Sequence, residues 1–114
     1  MPSSAVTFED TALQSLRHCR HFLIDNLEMP IDQAHAYTWG LADKAAARLA
    51  DHAATYAICR QTTTLGVNHY RELPIDHYRV VYRLWPETRT VSIYLFAHQR
   101  QDFKQLLFHY QLFR

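Results

Sequence analysis

The 114-residue chain is predicted to fold as an α+β domain: an N-terminal strand and a helical hairpin packed on a small antiparallel sheet, with a helix closing the C-terminus. Three observations predict this. Apolar residues recur at helical spacing from Leu13 to Tyr56, alternate with a period of two from His69 to Ala97, and return to helical spacing after His98. The order is therefore strand, helix, helix, three strands, helix. A chain of this length supports one core, so one domain over residues 1–114 is expected.

Each element has its own signal. Val6 and Phe8 alternate within residues 5–9, a short strand that stops at Asp10 and Thr11. Thr11 and Gln14 stand at capping-box spacing, in which hydroxyl and amide each satisfy a backbone N–H left free by the first helical turn. Leu13, Leu16, Leu23, Ile24 and Leu27 then form one stripe, with the Arg20 stem at its edge, until Pro30 ends the helix. Asp32 is the expected cap of a second, alanine-rich helix whose inner face reads Ala34, Tyr37, Leu41, Ala45, Leu49, His52 or Ala53, and Tyr56. Residues 61–66 have no helical period and read as a connection. Strands are expected at 69–75, 78–84 and 90–97, the last two joined by a hairpin loop at 85–89. Asp102 and Gln105 repeat the capping spacing before a stripe of Phe103, Leu106, Leu107 and Tyr110.

Composition narrows the function classes. Apolar residues make up 48% of the chain, so a packed core is expected rather than disorder. No apolar run approaches the roughly 18 residues of a membrane span, and the start lacks a charged segment followed by an apolar one, so a cytoplasmic protein is expected. Cys19 and Cys59 then read as thiols in or near the core. With glycine only at 40 and 66, no Gly-rich phosphate loop can form, and no cofactor is expected. His18, Cys19 and His21 are the densest metal-like group, but position 19 points away from 18 and 21 on a helix, and nothing supplies further ligands; no metal is expected.

The formal net charge of +1 argues against strong general affinity for nucleic acid, but its distribution is uneven. Residues 1–59 carry four bases against seven acids, a net −3; residues 60–114 carry eight bases against four acids, a net +4. If Tyr78, Val80, Tyr82 and Leu84 face the helices, Arg79 and Arg83 stand on the opposite face and create an open, arginine-bearing surface. His98 and Arg100 come where the next strand ends, on a rigid support with an open tip. Such a group can hold a polyanion or, with an acid or base in place, assist phosphodiester cleavage. The packing alternative pairs Arg79 with a carboxylate such as Glu72 or Asp102 and leaves His98 capping its strand end.

The run Arg71-Glu72-Leu73-Pro74-Ile75-Asp76-His77-Tyr78-Arg79-Val80-Val81-Tyr82-Arg83-Leu84, joined through a hairpin to a strand ending His98-Gln99-Arg100-Gln101-Asp102, resembles the ParE/RelE superfamily of type II toxin–antitoxin toxins. The resemblance implies the same element order, a growth-inhibiting bacterial toxin of the plasmid-stabilisation kind, and a cognate antitoxin that wraps around it in a hetero-oligomer. It also implies one of two targets. RelE-like members cleave mRNA on the ribosome, which would make Arg79, His98 and Arg100 catalytic. ParE-like members block DNA gyrase, which would make Arg71, Arg79, Arg83 and Arg100 target-binding. The second lead-in base of the RelE-like set falls near Glu72 or Leu73, and its last-helix tyrosine near Leu106, so the motif looks closer to the ParE-like branch. His109 and Tyr110 remain as a late base or tyrosine for the nuclease alternative. A chain that retains only antitoxin binding is a third reading, and it predicts no growth effect.

Overall fold

The structure is a computed structural model and describes residues 4–113; residues 1–3 and Arg114, which the sequence pattern assigns to the same domain, lie outside the described residues. Strand β1 (Ala5–Phe8) leads into α1 (Asp10–Leu27) and α2 (Ile31–His52). A short α3 (Arg60–Thr64) precedes β2 (Arg71–Ile75), β3 (Tyr78–Trp85) and β4 (Thr90–His98), and α4 (Phe103–His109) comes last. The sheet order is β1-β4-β3-β2. β2, β3 and β4 are antiparallel as expected, but β1 lies parallel to β4, so the sheet is mixed. The helical hairpin carries the chain from β1 at one edge of the sheet toward β2 at the other, and the β2–β3–β4 meander then returns it to β1.

Only the C-terminal cap has the expected chemistry. The Asp102 side chain accepts from Gln105 N at 3.1 Å. At α1 the cap position is Glu9, without a side-chain bond, and Thr11 sits inside the helix, donating to Tyr94 O at 2.7 Å. A tertiary carbonyl outcompetes the local cap because the strand edge at Tyr94 would otherwise lack a partner. Pro30, not Asp32, precedes the first residue of α2, its fixed φ suiting a helix start. That helix ends at His52, short of Tyr56, and the expected connection at 61–66 contains α3, where the Thr62 and Thr63 hydroxyls both bond back to Cys59 O.

The sheet has a core on each side. Facing the hairpin, Leu73, Ile75, Tyr78, Val80, Tyr82, Val91, Ile93 and Phe96 meet Ala12, Leu16, Cys19, Leu41, Ala45 and Leu49. The α1 stripe keeps Leu16 and Leu23 as expected, but Ala12, Ser15 and Cys19 are buried beside them and Leu13 is 42% exposed. On the other side, Val81, Leu95 and Ala97 pack under Cys59, Val67, Tyr70, Phe103, Leu107 and Tyr110. Both cysteines are buried free thiols. Strict alternation along β4 fails at one place: Val81 pairs with Leu95 and Tyr82 with Ile93, so Tyr94 is an extra residue. This β-bulge puts Tyr94 and Leu95 on the same side and turns Phe96 toward the hairpin, whereas unbroken alternation groups Leu95, not Phe96, with Val91 and Ile93.

Where β1 stops pairing at Ile93, α1 takes over the exposed edge of β4. Glu9 N donates to Ile93 O, the Ser15 hydroxyl accepts from Phe96 N at 2.9 Å, and the Cys19 thiol donates to Phe96 O at 3.3 Å. Helix side chains thus complete the ladder that the missing strand would have supplied. Among the described residues no helix is long and apolar enough to cross a membrane.

Candidate functional site

β3 carries Arg79 and Arg83 on the α4 side of the sheet, as the alternation predicts, because Tyr78, Val80 and Tyr82 fill the hairpin core. That face is not open. α4 and the residues after it cover its middle, and Val81 between the two arginines is fully buried.

Arg79 is held on two sides. Its Nε is ion-paired and hydrogen-bonded to the Glu72 carboxylate, which β2 presents on the same face. Its guanidinium lies 4.0 Å from the centre of the Phe103 ring at the start of α4. A cation on an aromatic face with a carboxylate beside it is already satisfied. Arg79, Glu72 and Pro74 form one wall of a cleft of about 430 Å³ at the β2 edge, with Tyr56, Ile58 and Arg60 opposite. Arg83, further along the same face, stacks on its strand neighbour Trp85 at 3.7 Å.

The remaining expected site residues lie elsewhere. Arg71 shares the hairpin face with Leu73 and Ile75, and its Nη1 donates to Tyr56 O at 2.6 Å. His98 pairs across the strands with Tyr78, so its ring also points to the hairpin side, 5.0 Å from the Tyr78 ring and 5.1 Å from Phe22 of α1. It is 5% exposed. Its Nδ1 accepts from Arg100 N at 3.1 Å, which fixes the neutral tautomer with the proton on Nε2. Burial lowers its pKa below 6.5, and His77 and Arg100 lower it further. The sheet therefore stands between His98 and Arg79, and the two do not share a site. Arg100 is exposed on the turn between β4 and α4, and no ion pair is formed by its side chain among the described residues.

Of the late residues, the Tyr110 hydroxyl is hydrogen-bonded to His18 Nδ1 of α1, with His109 against the same imidazole at 5.5 Å between ring centres. Burial, then His109, His21 and Arg17, lower the His18 pKa. This arrangement ties the end of α4 to α1, away from Arg79. The sequence marks Phe103 only as part of a helix stripe; its role as the shelf under Arg79 depends on where α4 begins, which Asp102 signals. Glu72 was legible, as a carboxylate diagonal to Arg79 across a hairpin.

Similar proteins agree with this architecture. No curated protein matches the chain closely enough to count as a relative. The crystal structure of the toxin–antitoxin complex RelBE2 from Mycobacterium tuberculosis contains a chain that superposes with a TM-score of 0.59 at 19% identity, covering 89% of this chain and 97% of that one. At that identity the likeness establishes the fold. A family model described as the ParE toxin of the type II toxin–antitoxin system parDE matches residues 6–103, which takes in the hairpin, the sheet and the start of α4. The chain belongs to this ParE family of type II toxin–antitoxin toxins.

Proposed function

We propose that the chain inhibits bacterial growth by binding DNA gyrase and is neutralised by a cognate antitoxin, with which it forms a hetero-oligomer. One observation carries the choice of target: the sheet separates His98 from Arg79, and Arg79 is already occupied by Glu72 and Phe103. Cutting a phosphodiester needs a cation on the phosphate and an acid or base within reach of the same atoms. Here the imidazole is buried on one face and the guanidinium engaged on the other, so these residues suit a binding protein better than a ribosome-dependent nuclease.

Within the four arginines assigned to target binding, Arg100 is the member that meets the target. It is exposed, and it projects from a turn fixed by Arg100 N on His98 Nδ1 and by His98 N on Gln101 Oε1 at 2.7 Å. Arg83 lies at the other end of the β3–β4 pair, half-buried on Trp85. Arg71 and Arg79 hold the fold.

The deciding experiment adds the purified chain, freed of antitoxin, to a gyrase supercoiling assay, alongside pulse-labelling of DNA and protein synthesis after induction. Dose-dependent loss of supercoiling, an early fall in DNA synthesis, and weakening of both by Arg100→Ala are expected. Unaffected supercoiling with an early fall in protein synthesis and cut transcripts overturns the reading.

A further inference from the structure

A hollow of about 440 Å³ opens on the α4 side of the sheet, away from the Arg79 cleft. Glu9, Asp10 and Thr11 reach it from the junction of β1 and α1, Tyr70 from just before β2, Tyr94 from the bulge in β4, and Tyr110 from the end of α4. Three tyrosines from three separate elements therefore converge beside two carboxylates. Among the described residues no lysine or arginine lines it.

The tyrosines are positioned, not incidental. Alternation from Ile93 puts Tyr94 on this side, at the bulge in β4, and the Thr11 hydroxyl donates to the Tyr94 backbone carbonyl. Tyr70 and Tyr94 meet edge to face at 5.2 Å, and Tyr110 is fixed by His18. Burial pushes the Tyr94 hydroxyl pKa up and the Glu9 charge adds to it, against smaller opposing effects of Arg83 and Ser92. Aromatic faces are electron-rich and attract cations, most of all a planar guanidinium that can stack on them while carboxylates take its N–H groups. Two carboxylates at the rim exceed the roughly half positive charge of a helix start. Arg83, whose charge lowers the pKa values of Tyr70 and Tyr94, has its guanidinium stacked on Trp85 and does not line the hollow.

We propose that this hollow receives an arginine side chain of the cognate antitoxin, an inference that rests on the toxin–antitoxin reading above. Charge complementarity selects the ligand: the charged residues lining the hollow, Glu9 and Asp10, are both acidic, so a cation is the side chain that they match. Arginine fits better than lysine because its flat fork uses both the rings and the carboxylates.

Two arms test it. In the first, the full chain carrying 3-fluorotyrosine is titrated with ethylguanidinium and, separately, with neutral ethylurea. Saturable fluorine shifts at Tyr70, Tyr94 and Tyr110 with the cation alone are expected, weakened severalfold in the Glu9→Gln/Asp10→Asn variant. No saturable shift, or equal shifts with ethylurea, overturns the cation site. In the second, antitoxin affinity is measured for that variant and for Tyr94→Leu, with the thermal midpoint of the free chain as the folding control. A loss of about tenfold is expected from variants that still melt cooperatively well above the assay temperature. Unchanged affinity overturns the antitoxin as the source of the cation. If Tyr94→Leu does not fold, the charge variant, whose carboxylates lie at the rim, carries the test alone.

Discussion

If Arg79 serves the fold, its partners must be energetically coupled to it. The Arg79 side chain is 30% exposed and that of Glu72 17%, between the exposed pairs worth about 0–1 kcal/mol and the buried ones whose rupture costs about 3–5 kcal/mol. Discounted for solvent access, Arg79→Ala is expected to cost about 2 kcal/mol, because it strands the Glu72 carboxylate and uncovers Phe103. Glu72→Ala costs less, about 1 kcal/mol, since Arg79 keeps its aromatic shelf. The double variant removes the stranded charge, so its loss falls short of the sum by about 1 kcal/mol. Urea unfolding of the four proteins measures this cycle directly. In a domain of this size 1 kcal/mol moves the thermal midpoint by about 4 °C, so the Arg79→Ala shift is easily resolved. Additive losses would refute the coupling. So would an Arg79→Ala protein of wild-type stability that no longer inhibits growth, since the guanidinium would then be serving a target.

Three further outcomes rest on burial and single contacts. His18, His98 and His69 all have pKa values lowered from 6.5, chiefly by burial; the unfolded chain therefore binds protons more readily, and stability falls as pH drops through about 6.5. Thermal melts at about pH 7.5 and 5.5 check this, and His18→Gln should make the dependence shallower. Tyr82→Phe leaves the buried Ala53 carbonyl without the phenol that donates to it, and should cost about 1–3 kcal/mol in urea unfolding. Asp102→Ala removes the one side-chain cap seen at a helix start among the described residues and should lower stability by about 1 kcal/mol, with exchange of the Gln105 amide accelerated.

What was legible in the sequence was whatever depends on period and local chemistry. The α2 face from Ala34 to Leu49, the division of Tyr78, Val80 and Tyr82 from Arg79 and Arg83, and the Asp102 cap all repeat at spacings that neighbours alone determine. What was not legible depends on a distant partner. Thr11 looks like a cap until the carbonyl of Tyr94, 83 residues away, claims its hydroxyl. Val91 to Ala97 reads as unbroken alternation because a bulge leaves no trace in a strand that is apolar on both faces. The parallel β1 and the opposite placement of His98 and Arg79 arise from pairing and register, which no local window contains. The sites divided along the same line: the individual arginines were visible, their separation by the sheet was not.

The family match ends at Phe103, the first residue of α4, and this boundary coincides with a physical one. The residues before it build the sheet, the hairpin, the core between them and the sheet-side half of the second core. The segment beyond it, with Leu107, Tyr110 and Leu112, closes the second core and thereby decides how much of the α4 face is covered. The turn between the two parts spends its polar groups on its own geometry: His98 N on Gln101, Arg100 N on His98, Gln105 N on Asp102. These bonds fix the backbone of the turn, and the Arg100 side chain is exposed to solvent at the end of a buried strand. Rigidity of that kind favours recognition of a fixed protein surface, because the cost of ordering the contact has been met during folding. The same junction places Phe103 under Arg79, so the residues that present one arginine outward also hold the other in place.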